Sequence, residues 1–123
     1  MSKMQRTKGA AFERKIARAF RAYNGKRLLE YQQAADRATG MLGVDVLCDR
    51  FAIQCKRYQG YAPISKLAEV VVPDGNLIPL LITKADRQQA VVVIGLDDFL
   101  ELLHANGDGG NGDGAARTDQ TDW

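Results

Sequence analysis

The sequence predicts an α/β fold in which a mixed β-sheet is flanked by helices. Three observations support this prediction. An amphipathic helix opens the chain, short strand-like segments occupy its middle, and two apolar runs rich in β-branched residues precede a last helix. The length of 123 residues fits one domain. We expect this domain to cover residues 1–104, with a flexible basic arm at 1–6 and a disordered, Gly- and Asp-rich tail at 105–123.

The first helix is predicted from Thr7 to Tyr23. Thr7 suits the N-cap position, because its hydroxyl can accept a hydrogen bond from the first turn, and Asn24-Gly25 supplies the stop. One face of this helix carries apolar residues at helical spacing, which are Phe12, Ile16, Ala19, Phe20 and Tyr23.

Five later segments have strand character. Short runs with apolar and β-branched residues predict strands at 27–31, 44–48, 51–56, 77–83 and 90–95. Asp49-Arg50 is a turn between the second and third of them, and Pro79 indicates a sheet edge or the start of a strand. Helices are predicted near 64–70 and at 97–104, whereas residues 32–43 fit either a short helix or a loop.

The N-terminal part of the chain is strongly basic. Residues 1–27 carry nine Lys or Arg and one acid, although the net charge of the whole chain is only +2. Such a surface suits a polyanion, because Lys and Arg that neutralise phosphates release counterions. A solvated helix face is the alternative interpretation.

Composition narrows the class of protein. No apolar run approaches the roughly 20 residues that span a bilayer, and no apolar segment follows the basic N-terminus as in a signal peptide. We therefore expect a cytoplasmic protein with no membrane partner. Cys48 and Cys55 do not make a disulfide framework at this length, and a zinc site is not expected where His104 is the single histidine.

Three polar residues of the central hairpin are predicted to converge. If Asp49-Arg50 is a two-residue loop, Asp45 lies directly across from Gln54, and Lys56 falls on the same face one step along. A longer loop would shift this pairing. The opposite face of the hairpin is then expected to carry Val44, Ile53 and Cys55.

This grouping suits metal-dependent chemistry. A carboxylate and an amide oxygen are hard ligands for Mg²⁺, which can activate water and neutralise charge on a phosphate. A nearby Lys can orient or deprotonate the water, or stabilise the transition state. The alternative is an ordinary cross-strand cluster in which Asp45 and Lys56 form an ion pair.

Glu13 is the single acid of the basic first helix. Its neighbours three and four positions away carry no charge, so no ion pair within the helix accounts for it. At 100° per residue it lies on the flank of the apolar stripe, which predicts a position at the border of the core, close to the sheet. A half-exposed Glu without a function is the other interpretation.

The hairpin resembles the PD-(D/E)xK nuclease superfamily. The resemblance is carried by Gly43-Val44-Asp45-Val46, followed by Phe51-Ala52-Ile53-Gln54-Cys55-Lys56-Arg57-Tyr58. The piece IQCKRY looks most like the Mrr-type restriction endonucleases, in which Gln replaces the usual acid. The opening helix KGAAFERKIARAF looks like archaeal-type Holliday junction resolvases and their phage relatives. The resemblance covers roughly residues 8–104.

The resemblance implies a restriction-endonuclease-like fold and a set of roles at the site. Asp45 and Gln54 would bind Mg²⁺ or Mn²⁺, with the Cys55 carbonyl as a third ligand. Lys56 would be the catalytic lysine and Glu13 an accessory acid. Two positions depart from the family pattern. Gln54 stands where the resolvases have an acid, and Val44 stands where a Pro often precedes the Asp.

The resemblance also implies a DNA substrate. The basic and aromatic residues expected to contact DNA are Lys8, Arg14, Arg57, Tyr58, Lys84 and Arg87. Lys84 and Arg87 are placed in the loop after the 77–83 strand. The most specific interpretation is a Holliday junction resolvase, for which a C2 homodimer suits a symmetric four-way junction. The alternatives are an Mrr-like or nonspecific duplex endonuclease, and a DNA-binding module whose catalytic site has decayed.

Overall fold

The computed structural model describes residues 3–38, 40–73 and 75–105. The chain divides into two compact units, Met1–Val93 and Ile94–Trp123. The first unit contains all five strands and every described helix except the last, which belongs to the second unit. The expectation of a single domain over residues 1–104 stays a prediction, and the expected tail, apart from Ala105, lies outside the described residues.

The described part of the chain forms three α-helices, two 3₁₀ helices and five strands. The α-helices are α1 (Lys3–Ala19), α2 (Glu30–Ala38) and α3 (Leu96–Ala105), and the 3₁₀ helices are Arg21–Tyr23 and Ile64–Glu69. The strands are β1 (Lys26–Arg27), β2 (Val46–Leu47), β3 (Phe51–Tyr58), β4 (Ile78–Ala85) and β5 (Val91–Val93). None of these helices is both long enough and apolar enough to cross a bilayer.

The strands form one mixed sheet in the order β1-β2-β3-β4-β5. Neighbouring strands are antiparallel except β3 and β4, which are parallel. The predicted α/β class with a mixed sheet flanked by helices is therefore confirmed. Pro79 is the second residue of β4 and lies outside its pairing with β5, so its missing N–H removes no hydrogen bond from that ladder.

The N-terminal helix differs from the prediction at both ends. Residues 3–6, expected in the flexible basic arm, belong to α1, so Thr7 is inside the helix and is not its N-cap. The α-helical part ends at Ala19, and the 3₁₀ turn that follows stops at Asn24, whose φ of 61° is left-handed. Asn24 therefore provides the predicted stop. Its side-chain amide also donates to Asp49 at 3.0 Å, which ties the helix end to the hairpin turn.

The segment after the first helix was the least accurate part of the prediction. The strand expected at 27–31 is wrong beyond Arg27, because helix α2 begins at Glu30. The ambiguous stretch at 32–43 is helical as far as Ala38. The helix expected near 64–70 is a 3₁₀ helix.

The core lies on both faces of β3. Side chains alternate across a strand, so odd and even residues of β3 face opposite ways. Phe20 at the end of α1 contacts Phe51 edge-to-face, with ring centroids 6.2 Å apart. The opposite face holds a cluster of Ala52 with Leu28, Val44 and Val70, all at least 94% buried. Gln54 follows Ala52 on this second face, and the candidate site is built there.

Candidate active site

The register of the central hairpin was predicted correctly as far as Val46. Val46 pairs with Ile53, and Leu47 pairs with Ala52, as the two-residue loop requires. The ladder does not continue to Asp45 and Gln54. Instead, the Asp45 N–H donates to the Ile53 carbonyl at 2.8 Å, so Asp45 is displaced toward the residue that already faces Val46. The prediction that Asp45 lies directly opposite Gln54 is therefore wrong.

This displacement also changes the face on which Val44 lies. The alternation predicted Val44 beside Ile53 and Cys55, whereas the structure packs it with Ala52 and Val70 on the Gln54 face. An irregular residue between Val44 and Val46 breaks the two-residue period, which explains the difference. Val44 thus contributes an apolar side chain to the lining of the cavity beside the polar residues of the site.

The Asp45 carboxylate is anchored at the point where β2 separates from β3. Its Oδ2 accepts a hydrogen bond from the Cys55 N–H at 2.9 Å, and its Oδ1 accepts from Gln33 Nε2 at 3.3 Å. The pKa of Asp45 is raised from its ordinary 3.8 to about 6, chiefly by burial and also by the charge of Glu13, while Cys55, Lys56 and Gln33 oppose the shift. A partly desolvated carboxylate of this kind favours a cationic partner.

Gln54 is the most deeply buried polar residue of the site, with 4% of its surface exposed. Its Nε2 donates to Glu69 Oε1 at 3.3 Å. Its Oε1 is buried and accepts no hydrogen bond from any of the described residues. A buried acceptor without a partner costs free energy, on the order of 1–3 kcal/mol, so it calls for a ligand or an ordered molecule.

Lys56 lies two residues beyond Gln54 on the same face of β3. It is half-buried and makes no salt bridge or hydrogen bond within the described part of the chain. The structure therefore does not contain the alternative, a direct ion pair between Asp45 and Lys56. The two charges are nevertheless near enough for Lys56 to lower the pKa of Asp45.

Asp45, Gln54 and Lys56 line one cavity of about 250 Å³. The predicted convergence of these three residues is thus present, although the pairing expected to produce it is not. The other lining residues come from α2 and from the segment between α2 and β2: Gln33, Asp36, Arg37, Met41, Leu42, Gly43 and Val44.

Gly43 allows the chain before β2 to approach the backbone of Glu69 closely. Its φ is +74°, and a Cβ at this position would lie 2.4 Å from the Glu69 carbonyl oxygen. A residue with a side chain would therefore be both strained and in collision. This close approach, with the Leu42–Val71 bridge beside it, brings Glu69 to Gln54.

Glu13 lies beside the site and does not line the cavity. Its Oε1 accepts from Arg27 Nε at 2.8 Å, and its side chain is 19% exposed. The expected position at the border of the core is therefore confirmed, and β1 supplies an ion-pair partner that the helix does not. The Glu13 charge raises the pKa of Asp45, so the two carboxylates are near each other.

Cys55 offers the site its backbone alone. Burial raises the pKa of the Cys55 thiol, which keeps the sulfur protonated. The N–H and C=O of a strand residue point to the same side, so the Cys55 carbonyl points toward the strand edge where its N–H meets Asp45. Cys48 and Cys55 are both buried, and both are free cysteines.

The donor set at the cavity fits a hard divalent cation. Asp45 and Gln54, which line the cavity, offer a carboxylate and an amide oxygen that has no partner among the described residues, and Cys55 beside them offers its backbone carbonyl. Mg²⁺ and Mn²⁺ prefer oxygen ligands of these kinds. Within the described residues, no group of three or more His, Cys, Asp or Glu is placed to hold a metal ion. A site here therefore depends on the amide and the backbone.

The residues predicted to contact DNA have different environments. Lys8 and Arg14 are exposed on α1, and Tyr58 is 44% exposed at the end of β3. Arg57 is engaged with Asp86 at 3.4 Å.

The two residues predicted in the loop after the 77–83 strand differ from each other. Lys84 lies within β4, because this strand extends to Ala85, so its placement in the loop is wrong; its Nζ donates to the Ala85 carbonyl at 3.2 Å. Arg87 is exposed in the turn after β4, with a φ of 62°.

Sequence reasoning missed Gln33, Arg37 and Glu69. Gln33 and Arg37 belong to α2. The sequence pattern favoured neither a helix nor a loop in this stretch, so the positions of these two side chains could not be predicted. Glu69 reaches Gln54 only through the contact between Gly43 and the 3₁₀ helix, and no local sequence pattern predicts such a contact.

No protein-family model matches the chain, and neither does any curated protein or solved structure.

Proposed function

We propose that this protein is a metal-dependent endodeoxyribonuclease of the PD-(D/E)xK type that hydrolyses phosphodiester bonds. One observation carries the proposal: Gln54, whose buried Oε1 has no partner among the described residues, lines the same cavity as Asp45 and Lys56. The amide oxygen of Gln54 and the carboxylate of Asp45 suit a metal cation, and the unpaired ammonium of Lys56 suits a phosphate. The three residues together therefore suit a metal ion and a phosphate bound side by side.

Asp45, Gln54 and the Cys55 carbonyl would hold the metal ion, Mg²⁺ or Mn²⁺. When bound, it supplies Lewis acidity that activates water and neutralises charge on the phosphate. Gln54 contributes no charge, so Asp45 carries the anionic part of the donor set. Its raised pKa is consistent with this role, because a neighbouring cation favours the ionised form that burial disfavours.

Lys56 would act on the reacting groups from the same face. Its ammonium orients the attacking water and stabilises the charge that grows on the phosphate oxygens as the P–O bond to the leaving group breaks. Its lack of an ion-pair partner within the described residues leaves it available to an anionic substrate. Glu13, beside Asp45, would be an accessory acid that tunes its charge.

DNA would be held by basic groups around the cavity and along α1. Lys8 and Arg14 are exposed and suit phosphate contacts, as does Arg87. Arg57 would have to give up its ion pair with Asp86 before it could contact a phosphate. Tyr58 offers an exposed aromatic face beside them.

The most specific form of the proposal is a cytoplasmic Holliday junction resolvase that acts as a homodimer. Two sites related by a twofold axis are needed to cut a symmetric four-way junction in paired positions. A sedimentation experiment that finds a strict monomer at assay concentration would contradict this form while leaving the nuclease proposal standing.

The proposal is tested with a labelled four-way junction and a matched linear duplex in Mg²⁺, Mn²⁺ and EDTA. Asp45→Asn is the test variant, and Asp49→Asn, an exposed carboxylate of the same hairpin, is its control. We expect metal-dependent cleavage by the wild type and the control, and none by Asp45→Asn. Paired nicks in the junction alone would support a resolvase, and cutting of both substrates a general endonuclease. Binding without cutting in either metal would contradict the enzyme and leave a DNA-binding module.

A further inference from the structure

The side-chain amide of Gln54 can point in two ways, and the cavity needs one of them. An amide has a donor end and an acceptor end of nearly the same shape, so burial alone does not decide which end faces a ligand. A cation would be repelled by the NH₂ end. The orientation of this amide is therefore a requirement of the metal site proposed above, on which this inference rests.

Glu69 distinguishes the two ends. Its Oε1 lies 3.3 Å from Gln54 Nε2, and a carboxylate accepts hydrogen bonds but cannot donate them when ionised. The flipped amide would bring oxygen against oxygen at the same distance. The interaction therefore holds Nε2 toward Glu69 and leaves Oε1 without a protein partner in the described part of the chain.

The Glu69 carboxylate is itself held in place by a second hydrogen bond. Lys66 Nζ donates to its other oxygen at 2.9 Å. Its backbone is fixed by the close approach to Gly43. Lys66, Glu69 and Gln54 thus form a chain that runs from the surface to the buried amide.

We infer that Glu69 is a positioning residue which fixes the Gln54 amide with its oxygen directed to a divalent cation. It compensates for the loss of an acid at position 54, because a carboxylate presents oxygen in either orientation and an amide does not. The requirement for Glu69 should therefore depend on which residue occupies position 54.

Mn²⁺ binding to the full chain, measured by calorimetry without DNA, tests this dependence. Glu69→Ala is expected to weaken binding by about tenfold or more, as is usual for residues that orient a ligand. In a Gln54→Glu background the same change is expected to alter binding by less than about threefold. Glu30→Ala, which removes an exposed acid from the start of α2, is the control for lost negative charge.

A conservative substitution separates orientation from charge. Glu69→Gln keeps an oxygen that can accept from Nε2 but removes the negative charge, and it is expected to retain most of the Mn²⁺ affinity. A loss as large as that of Glu69→Ala would contradict positioning and indicate a charge effect. An equal loss from Glu69→Ala in the wild-type and the Gln54→Glu backgrounds would also overturn the inference.

The metal-free protein gives a second measurement. The two side-chain N–H signals of Gln54 are followed by nuclear magnetic resonance. The hydrogen bond to Glu69 is expected to set their chemical shifts apart in the wild type, and the separation is expected to become smaller in Glu69→Ala. Unchanged signals would overturn the inference.

If the amide is held but the wild type binds no Mn²⁺, the proposed metal site fails and the inference fails with it. If Mn²⁺ binding depends on Asp45 but not on Glu69, the proposed function stands and the inference alone is wrong.

Discussion

The Asp45 carboxylate accepts a hydrogen bond from the Cys55 N–H at 2.9 Å, at a place where β2 no longer covers the edge of β3. A side chain thus satisfies a strand donor that a neighbouring strand would otherwise satisfy. The same displacement of Asp45 ends the β2–β3 ladder, and Asp45 lines the cavity at this point. The interruption of the sheet is therefore what creates the candidate site.

Asp45→Asn is expected to become progressively stabilising, relative to wild type, as the pH rises in EDTA. Burial raises the pKa of Asp45 to about 6, above its ordinary 3.8, so the folded protein binds a proton more tightly than the unfolded chain. Stability from this group is present below pH 3.8 and is lost as the pH rises through 6. Between about pH 4 and 8 the wild type should lose about 2 kcal/mol relative to Asp45→Asn, measured by urea unfolding. A pH-independent difference between the two proteins would contradict this.

Glu13→Gln is expected to lower the pKa of Asp45. The Glu13 charge raises that pKa, and the substitution removes the charge while keeping an oxygen that Arg27 can use. The pKa of Asp45 can be followed through its carboxyl carbon by nuclear magnetic resonance titration. Glu30→Gln, at the exposed start of α2, should leave it unchanged. A shift upward, or an equal shift in both variants, would show that Glu13 does not act on Asp45 through its charge.

Lys56→Met is expected to abolish most DNA cleavage while leaving the fold and Mn²⁺ binding in place. The methionine keeps an apolar side chain of similar length on β3 and removes the ammonium that would face the phosphate. Single-turnover cleavage should fall by about a hundredfold or more. Lys84→Met, on the neighbouring strand β4, is the matched control and should lose far less. Equal losses would mean that the two lysines act only as general DNA contacts.

Gly43→Ala is expected to destabilise the protein and to disturb the Glu69 contact. The added methyl would meet the Glu69 carbonyl at 2.4 Å, and the φ of +74° is unfavourable for alanine. We expect a loss of about 2 kcal/mol or more in the free energy of unfolding. Gly60→Ala is the control, because its Cβ would meet no atom within 4 Å. A Gly43→Ala protein as stable as the control would argue against the close approach.

The sequence predicted the hairpin and its three polar residues because both depend on local pattern. The two-residue turn and the alternation of β3 are sufficient to align Val46 with Ile53 and to place Gln54 and Lys56 on one face. The displacement of Asp45 is not local in this sense, since nothing in the residues around it marks the irregularity. Val44 was assigned to the wrong face for the same reason.

The parts of the site that escaped prediction come from tertiary contact. Gln33 reaches Asp45 only because α2 packs beside the hairpin, and Glu69 reaches Gln54 only because a 3₁₀ helix ends against Gly43. Neither contact follows from spacing along the chain. The prediction therefore found the residues that would do chemistry and missed those that position them.

The most direct test of the proposed metal site is a titration of Mn²⁺ followed by electron paramagnetic resonance at about pH 8, where Asp45 is ionised. We predict one site per chain in the wild type and in Asp49→Asn, and loss of that site in Asp45→Asn. Binding that is equal in all three proteins, or absent from the wild type, would contradict the claim that Asp45 and Gln54 form a metal site.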